Sequence, residues 1–206
     1  MSKAKDTSDE PATHAPTDPL PSPDSPPRIT SPSNGAVVGV RPVITGICHP
    51  RRNVRAVSPN QENFLSAETQ PANGHFQLSF LQDLKPGRTD YQILQWKMYP
   101  DSHKRSAVQQ MYYLPAPTVT SPTAGARVGT KPTVTGTGGI PGAGIQVVRH
   151  GNPAVTYATA TVAANGSWSA PFTIALPVGQ FMFTARYQLD GKNGTWLNSV
   201  TVNVTA

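Results

Sequence analysis

From Pro27 to the last residue, apolar positions come in short runs separated by polar ones. The runs are rich in Val, Ile, Thr and aromatic residues, and Gly, Pro or Asn cuts them about every 8–12 residues, which is the texture of β-structure. No stretch sustains a helical period. The second half is the clearer one. Val119 opens an edge strand that Pro122 interrupts, because proline cannot donate to a central ladder. Further strands are predicted over 133–136, 145–148, 157–162, 167–174, 181–185 and 200–204. Pro141-Gly142-Ala143-Gly144 and Asp190-Gly191 read as turns. Ala164-Asn165-Gly166 carries a hairpin signal, and Leu176-Pro177-Val178-Gly179 is expected to cross between sheets. Seven strands in about 90 residues is the count of a Greek-key β-sandwich.

The same pattern occurs twice. Pro27 to Gly46 and Pro117 to Gly136 align over their whole length, so that Gly35, Gly39, Pro42 and Gly46 return as Gly125, Gly129, Pro132 and Gly136. A spacing of about 90 residues makes each copy a whole small domain, since solenoid turns repeat every ~20–50 residues. Residues 27–116 and 117–206 are therefore expected to be two domains, each large enough for one core without metal or disulfide. In the first copy, 72–76 stands where 164–168 stands, and 84–87 matches 176–179. Its sixth and seventh strands are expected over 91–96 and 108–113. The offset grows from 90 to 92 residues between the first and fifth strands, which places the extra residues in loops. Leu114-Pro115-Ala116-Pro117 reads as a short, stiff link. Residues 1–26, rich in Pro, Ser, Thr and Asp, have too little apolar surface to offset the entropy of ordering and are expected to be a disordered tail.

Four motifs carry a family resemblance: Gly136-Thr137-Gly138, Pro141-Gly142-Ala143, Ala164-Asn165-Gly166-Ser167-Trp168-Ser169 and Leu176-Pro177-Val178-Gly179. Together they resemble the bacterial immunoglobulin-like repeats of large surface proteins and adhesins. The match covers 117–206 and weakens over 27–116, where Pro50-Arg51-Arg52-Asn53 replaces the Pro-Gly-Ala turn. The resemblance implies an all-β chain of two tandem immunoglobulin-like Greek-key sandwiches behind the tail. It also implies a non-catalytic spacer or adhesive module of a surface or exported protein. A carbohydrate-binding module for acidic glycans, and a structural decoration of a phage or secretion particle, remain the alternatives. No apolar run approaches the roughly 18 residues of a membrane helix. The first ten residues lack the apolar stretch of a Sec-type signal peptide, so the export route stays open, with cytoplasmic or particle-associated locations as options.

Charge sharpens this picture. The net charge of +6 divides into −3 over 1–26, +5 over 27–116 and +4 over 117–206. Two basic domains favour an acidic partner, an acidic glycan or an acidic protein surface. Nucleic acid is not expected, because the basic residues fall in loops and no recognition motif is present. The second copy holds one carboxylate, Asp190, and one histidine, His150, too few for paired acid–base catalysis or a carboxylate calcium cage. Cys48, the only cysteine, reads as a small buried hydrophobe, and its neighbour His49 would point to the opposite strand face. His49, His75 and His103 match no metal-ligand spacing. The sequence therefore predicts no enzyme, no cofactor and no metal, and leaves the oligomeric state undetermined.

The candidate site is basic. Arg51, Arg52 and Arg55 are assigned to the turn between the second and third strands, and His103, Lys104 and Arg105 to the turn between the sixth and seventh. In an immunoglobulin-type sandwich both turns lie at one end, bordered by Asn73 and His75. Guanidinium forks there suit planar oxyanions. Trp168 and Trp96 are expected in strands, Trp168 in the core, whereas Trp196, after Asn193-Gly194-Thr195, is the candidate exposed aromatic.

Overall fold

The computed structural model describes residues 19–22, 24–59, 63–97 and 103–206. Most of the predicted tail, 1–18 and Pro23, lies outside them. The first half forms β1 (Arg28–Ser31), β2 (Ala36–Val37), β3 (Val43–Ile47), β4 (Asn53–Val57), β5 (His75–Ser79), β6 (Gly87–Trp96), β7 (Lys104–Arg105) and β8 (Gln109–Tyr113). The second forms β9 (Val119–Ser121), β10 (Arg127–Val128), β11 (Thr133–Gly136), β12 (Gly144–Arg149), β13 (Asn152–Thr161), β14 (Trp168–Pro171), β15 (Gly179–Leu189), β16 (Lys192–Asn193) and β17 (Val200–Val204).

Among the described residues no sheet joins the two halves. One sheet of the first half runs β1-β3-β5 and the other β2-β8-β6-β4; in the second half the orders are β14-β11-β9 and β10-β17-β15-β12-β13. The short strands β7 and β16 pair with β6 and β15. In each half the first strand splits. Its beginning pairs antiparallel in one sheet, and its continuation pairs parallel with the last strand in the other, Ala36 with Met111 and Arg127 with Asn203. Apart from the splitting, this is the strand order of an immunoglobulin-like Greek-key sandwich, and the chain is two of them in tandem.

Period-2 burial builds each core between its sheets. Ile44, Phe76 and Leu78 face Val54, Ala56, Tyr91, Ile93 and Met111 across the first sandwich. Val134, Trp168 and Ala170 face Ile145, Val147, Phe181, Phe183 and Ala185 across the second. Phe80 meets Tyr91 edge-on at 6.5 Å, and Phe172 meets Phe183 at 6.1 Å, geometries in which ring edges face ring π-clouds. Both cores need a glycine beneath the aromatic of the fifth strand. A Cβ on Gly46 would stand 2.3 Å from the Phe76 ring, and one on Gly136 2.3 Å from the Trp168 indole.

Two local expectations change. Ala164-Asn165-Gly166 is a tight turn, with Gly166 at φ 80° and Ser167 N donating to Asn165 Oδ1 at 3.0 Å. It is nevertheless not a hairpin, because β13 and β14 belong to different sheets. Strand β13 also begins five residues before the predicted 157, with Pro153 inside it. It is an edge strand, so a missing N–H costs no ladder bond, and irregular register between Val147 and Arg149 accommodates the extension.

The link between the halves is packed rather than merely stiff. Leu114 and Tyr112 belong to the buried cluster of the second sandwich, although both precede residue 117. Thr195 N donates to Leu114 O at 3.0 Å, and Tyr112 Oη donates to Asp190 Oδ2 at 3.0 Å. Burial, and then the Asp190 carboxylate, hold the Tyr112 hydroxyl above its ordinary pKa. The turns at one end of the second sandwich thus grip the last strand of the first.

Two buried acids give the first sandwich an alkaline limit. Burial pushes the Cys48 thiol up to about 11 and the Tyr91 hydroxyl up to about 12. In the unfolded chain they ionise nearer 9.0 and 10.0, so above that range the unfolded state binds fewer protons than the folded one. Stability is intact below about pH 9 and falls by up to ~1.4 kcal/mol per pH unit for each group thereafter. Cys48→Ala is expected to flatten the loss between pH 9 and 11, read as the urea midpoint of the first sandwich's unfolding, followed by tryptophan fluorescence, against pH. The same slope in wild type and variant would contradict this.

Candidate functional site

Strand pairing carries the basic turns of the first sandwich to one end. β3 and β5 pair as far as Ile47 and His75, and β4 and β6 as far as Asn53 and Trp96. His49 N donates to Gln95 Oε1 at 3.0 Å and Arg51 N to Pro71 O at 3.0 Å, tying the turn before β4 to β6 and to the turn before β5. Arg51 is exposed, at φ 57°, and Arg52 is half-buried beside it. His103 is exposed just before β7, and Lys104 and Arg105 lie opposite Gln95 and Leu94. Strand β6 spans the roughly 30 Å between this end and Gly87, which pairs with Tyr113 beside the interdomain joint. The cluster therefore sits at the end of the first sandwich away from the second.

Three of its members are on strands rather than in turns. Arg55 lies inside β4, between buried Val54 and Ala56, because residues 53–57 alternate and Arg55 takes the outward phase. Lys104 and Arg105 form β7 against β6; the turn residues 98–102 lie outside the described residues. The outward phase brings Arg55 and Arg105 to either side of Leu94 on the outer face of the sheet. There Val57, Leu94 and Trp96 form a small buried cluster of their own. The Arg55 guanidinium lies 4.0 Å from the Phe64 ring centroid and 5.2 Å from that of Trp96, and Nη2 donates to Glu68 Oε2 at 2.6 Å. Phe64 and Glu68 arrive on the segment after β4, which bridges back through Val57–Phe64 and Val54–Thr69. Sequence reading missed this arrangement; the burial-phase alternation of 53–57 was the signal for it.

Trp168 is buried and covers Gly136, as expected of a core residue. Trp96 is buried too, but on the outer face rather than between the sheets. Trp196 is half-buried in the strip between β16 and β17, which runs beside β15 with Leu197 N donating to Ala185 O at 2.8 Å. It packs on the outer face of the five-strand path, with the Arg186 guanidinium 4.3 Å from its ring centroid. Beside it opens a cleft of about 240 Å3, walled by Val148, Pro153, Thr184, Trp196 and Leu197. Trp196 and the basic cluster are on different sandwiches and do not form one site.

Cys48 is fully buried, and its raised pKa leaves almost no thiolate at neutral pH. Among the described residues, no three His, Cys, Asp or Glu gather as a metal cage, and no helix is long and apolar enough to cross a membrane.

No family model matches the chain, and no curated protein matches it. Solved structures do. The BSP domain of a biofilm-associated protein is 17% identical over 87% of this chain and 29% of that one, with a TM-score of 0.34. Fibronectin(III)-like modules of Clostridium thermocellum CbhA are 14% identical over 86% and 93%, with a TM-score of 0.35. The ICAM-5 D1–D4 ectodomain fragment is 16% identical over 88% and 54%, with a TM-score of 0.41. The chain spans under a third of the first of these structures and about half of the third. At these scores the matches carry no argument of their own, and the fold rests on the strand order given above.

Proposed function

We propose that the chain is a non-catalytic interaction module of a surface or exported protein, used in adhesion. Two sandwiches locked at a packed joint present the basic end of the first at a fixed distance. The joint is the observation that carries this reading: Leu114 in the core of the second sandwich and Tyr112 bonded to Asp190 leave little freedom for hinging. A rigid pair suits presentation, because preorganised binding surfaces lose less entropy on contact. Arg51, Arg52, Lys104 and Arg105, with His103 among them, then meet an acidic glycan or acidic protein face. Several contacts must act together, since an exposed ion pair contributes only ~0–1 kcal/mol.

Surface labelling and fractionation of cells that naturally make the protein test the location, and retention on a heparin-coated surface tests the site. We expect recovery at the cell surface and at least about threefold lower retention for Arg51→Gln/Arg52→Gln/Arg105→Gln, with an unchanged melting temperature. Recovery confined to the cytosol, or to particles, would overturn the adhesion reading.

A further inference from the structure

The chain enters the first sandwich at its basic end. Leu20 sits in the notch between the turns before β4 and β5, where a Cβ on Gly74 would stand 3.0 Å from Leu20 Cδ2 and 3.4 Å from Pro50 Cδ. Cys48 N donates to Gly74 O at 2.8 Å and Arg51 N to Pro71 O at 3.0 Å, so the notch is built by the same two turns that carry Arg51 and Asn73. Residues 1–18 therefore join the fold beside Arg51 and Arg52. Lys97, exposed directly after β6, and Lys104, which opens β7, are at this end too.

That stretch carries the opposite charge. Asp6, Asp9, Glu10 and Asp18 are its carboxylates, and no Lys or Arg lies between 6 and 18. Asp9 is eleven residues from Leu20, a chain reach of at most about 40 Å, and Asp18 is two residues from it. Covalent attachment holds these groups near the basic end at an effective concentration on the order of millimolar. Three described carboxylates of this sandwich, Glu68, Asp83 and Asp90, are already paired with Arg55, Arg41 and Arg88 and do not face Arg51 or Arg52.

We infer that residues 6–18 occupy the basic end in cis, with their carboxylates against Arg51 and Arg52. The contact is one of charge, and charge-assisted hydrogen bonds to guanidinium forks need no secondary structure in the segment. Each exposed pair contributes little alone, but several carboxylates on one tether act together. An outside acidic partner then meets a site already partly filled. Its apparent affinity falls by one plus the ratio of the segment's effective concentration to its dissociation constant. This inference rests on the basic end named in the adhesion reading and adds its regulation: cleaving off the acidic stretch unmasks the site.

The test compares the full chain with its Asp6→Asn/Asp9→Asn/Glu10→Gln/Asp18→Asn variant, using a heparin-derived octasaccharide as the probe in calorimetry. At about 50 mM salt the neutralised variant should bind roughly threefold more tightly, and at about 0.5 M salt, where screening is strong, the two should converge. A nitroxide on Ala12→Cys reads the contact directly, since Cys48 is fully buried and escapes labelling. Relaxation enhancement at the Asn73, Gly74 and His75 amides should fall at least about twofold in Arg51→Gln/Arg52→Gln, which leaves the tether itself unchanged. Equal octasaccharide affinities at low salt, or enhancement indifferent to the two arginines, overturns the inference. So does enhancement that passes between labelled and unlabelled molecules in a mixture and vanishes on dilution, which would assign the segment to a second copy. If neither form binds the octasaccharide, the glycan arm of the adhesion reading fails, and the nitroxide result alone decides whether the acidic segment lies at the basic end.

Discussion

Gly136→Ala should strongly destabilise the second sandwich. The added methyl would sit 2.1 Å from Thr118 O and 2.3 Å from the Trp168 indole, and the first of these is backbone that cannot step aside. Overpacking a dense core costs about 1–3 kcal/mol, occasionally more, and two clashes at such distances place this variant at the upper end. Gly46→Ala should do the same to the first sandwich through Arg28 O and Phe76. Gly129→Ala is the control, because nothing lies within 4 Å of its Cβ position and the change should stay within about 0.5 kcal/mol. Urea denaturation followed by tryptophan fluorescence separates the three. Equal midpoints for Gly136→Ala and Gly129→Ala would refute the steric account.

Leu114→Ala is expected to cost the second sandwich about 2–5 kcal/mol, the range for truncating a buried leucine. By sequence position Leu114 belongs to the first copy, yet only 1% of it is exposed and its neighbours are in the second core. Gly194 lies against it so closely that a Cβ there would stand 2.9 Å from its side chain. The same packing predicts that residues 117–206 alone are less stable than residues 112–206, by a similar margin. Calorimetric melting of the two fragments decides it, and identical transitions would show that the joint contributes nothing to the second core.

These two cases show what the sequence makes legible. Repetition of Gly46 as Gly136 marked a place where a side chain is excluded, and the packing supplies the reason. Gly35 and Gly125 also return for a reason, since both adopt positive φ, at 75° and 80°. Gly39 and Gly129 return as well, and nothing in the structure explains them. Strand existence was readable from alternation, whereas strand partners were not: Asn165-Gly166 gives the same local turn whether the next strand stays in the sheet or leaves it. Leu114, just before Pro115-Ala116-Pro117, looked like linker because its partners, Gly194 and Thr195, lie about 80 residues further on. Arg55 was grouped with Arg51 and Arg52 by nearness along the chain, but one step of strand phase decides which face a side chain takes.

The parallel ladders between the split first strand and the last strand have a consequence under tension. Gly35 N donates to Gln110 O and Val38 N to Tyr112 O in the first sandwich; Gly125 N to Thr201 O and Asn203 N to Ala126 O do the same work in the second. Pulling the two ends of either sandwich apart slides these strands lengthwise past each other. The ladder bonds are then strained together instead of peeling one after another, so each unit resists stretching along the line of its termini far better than prying across it.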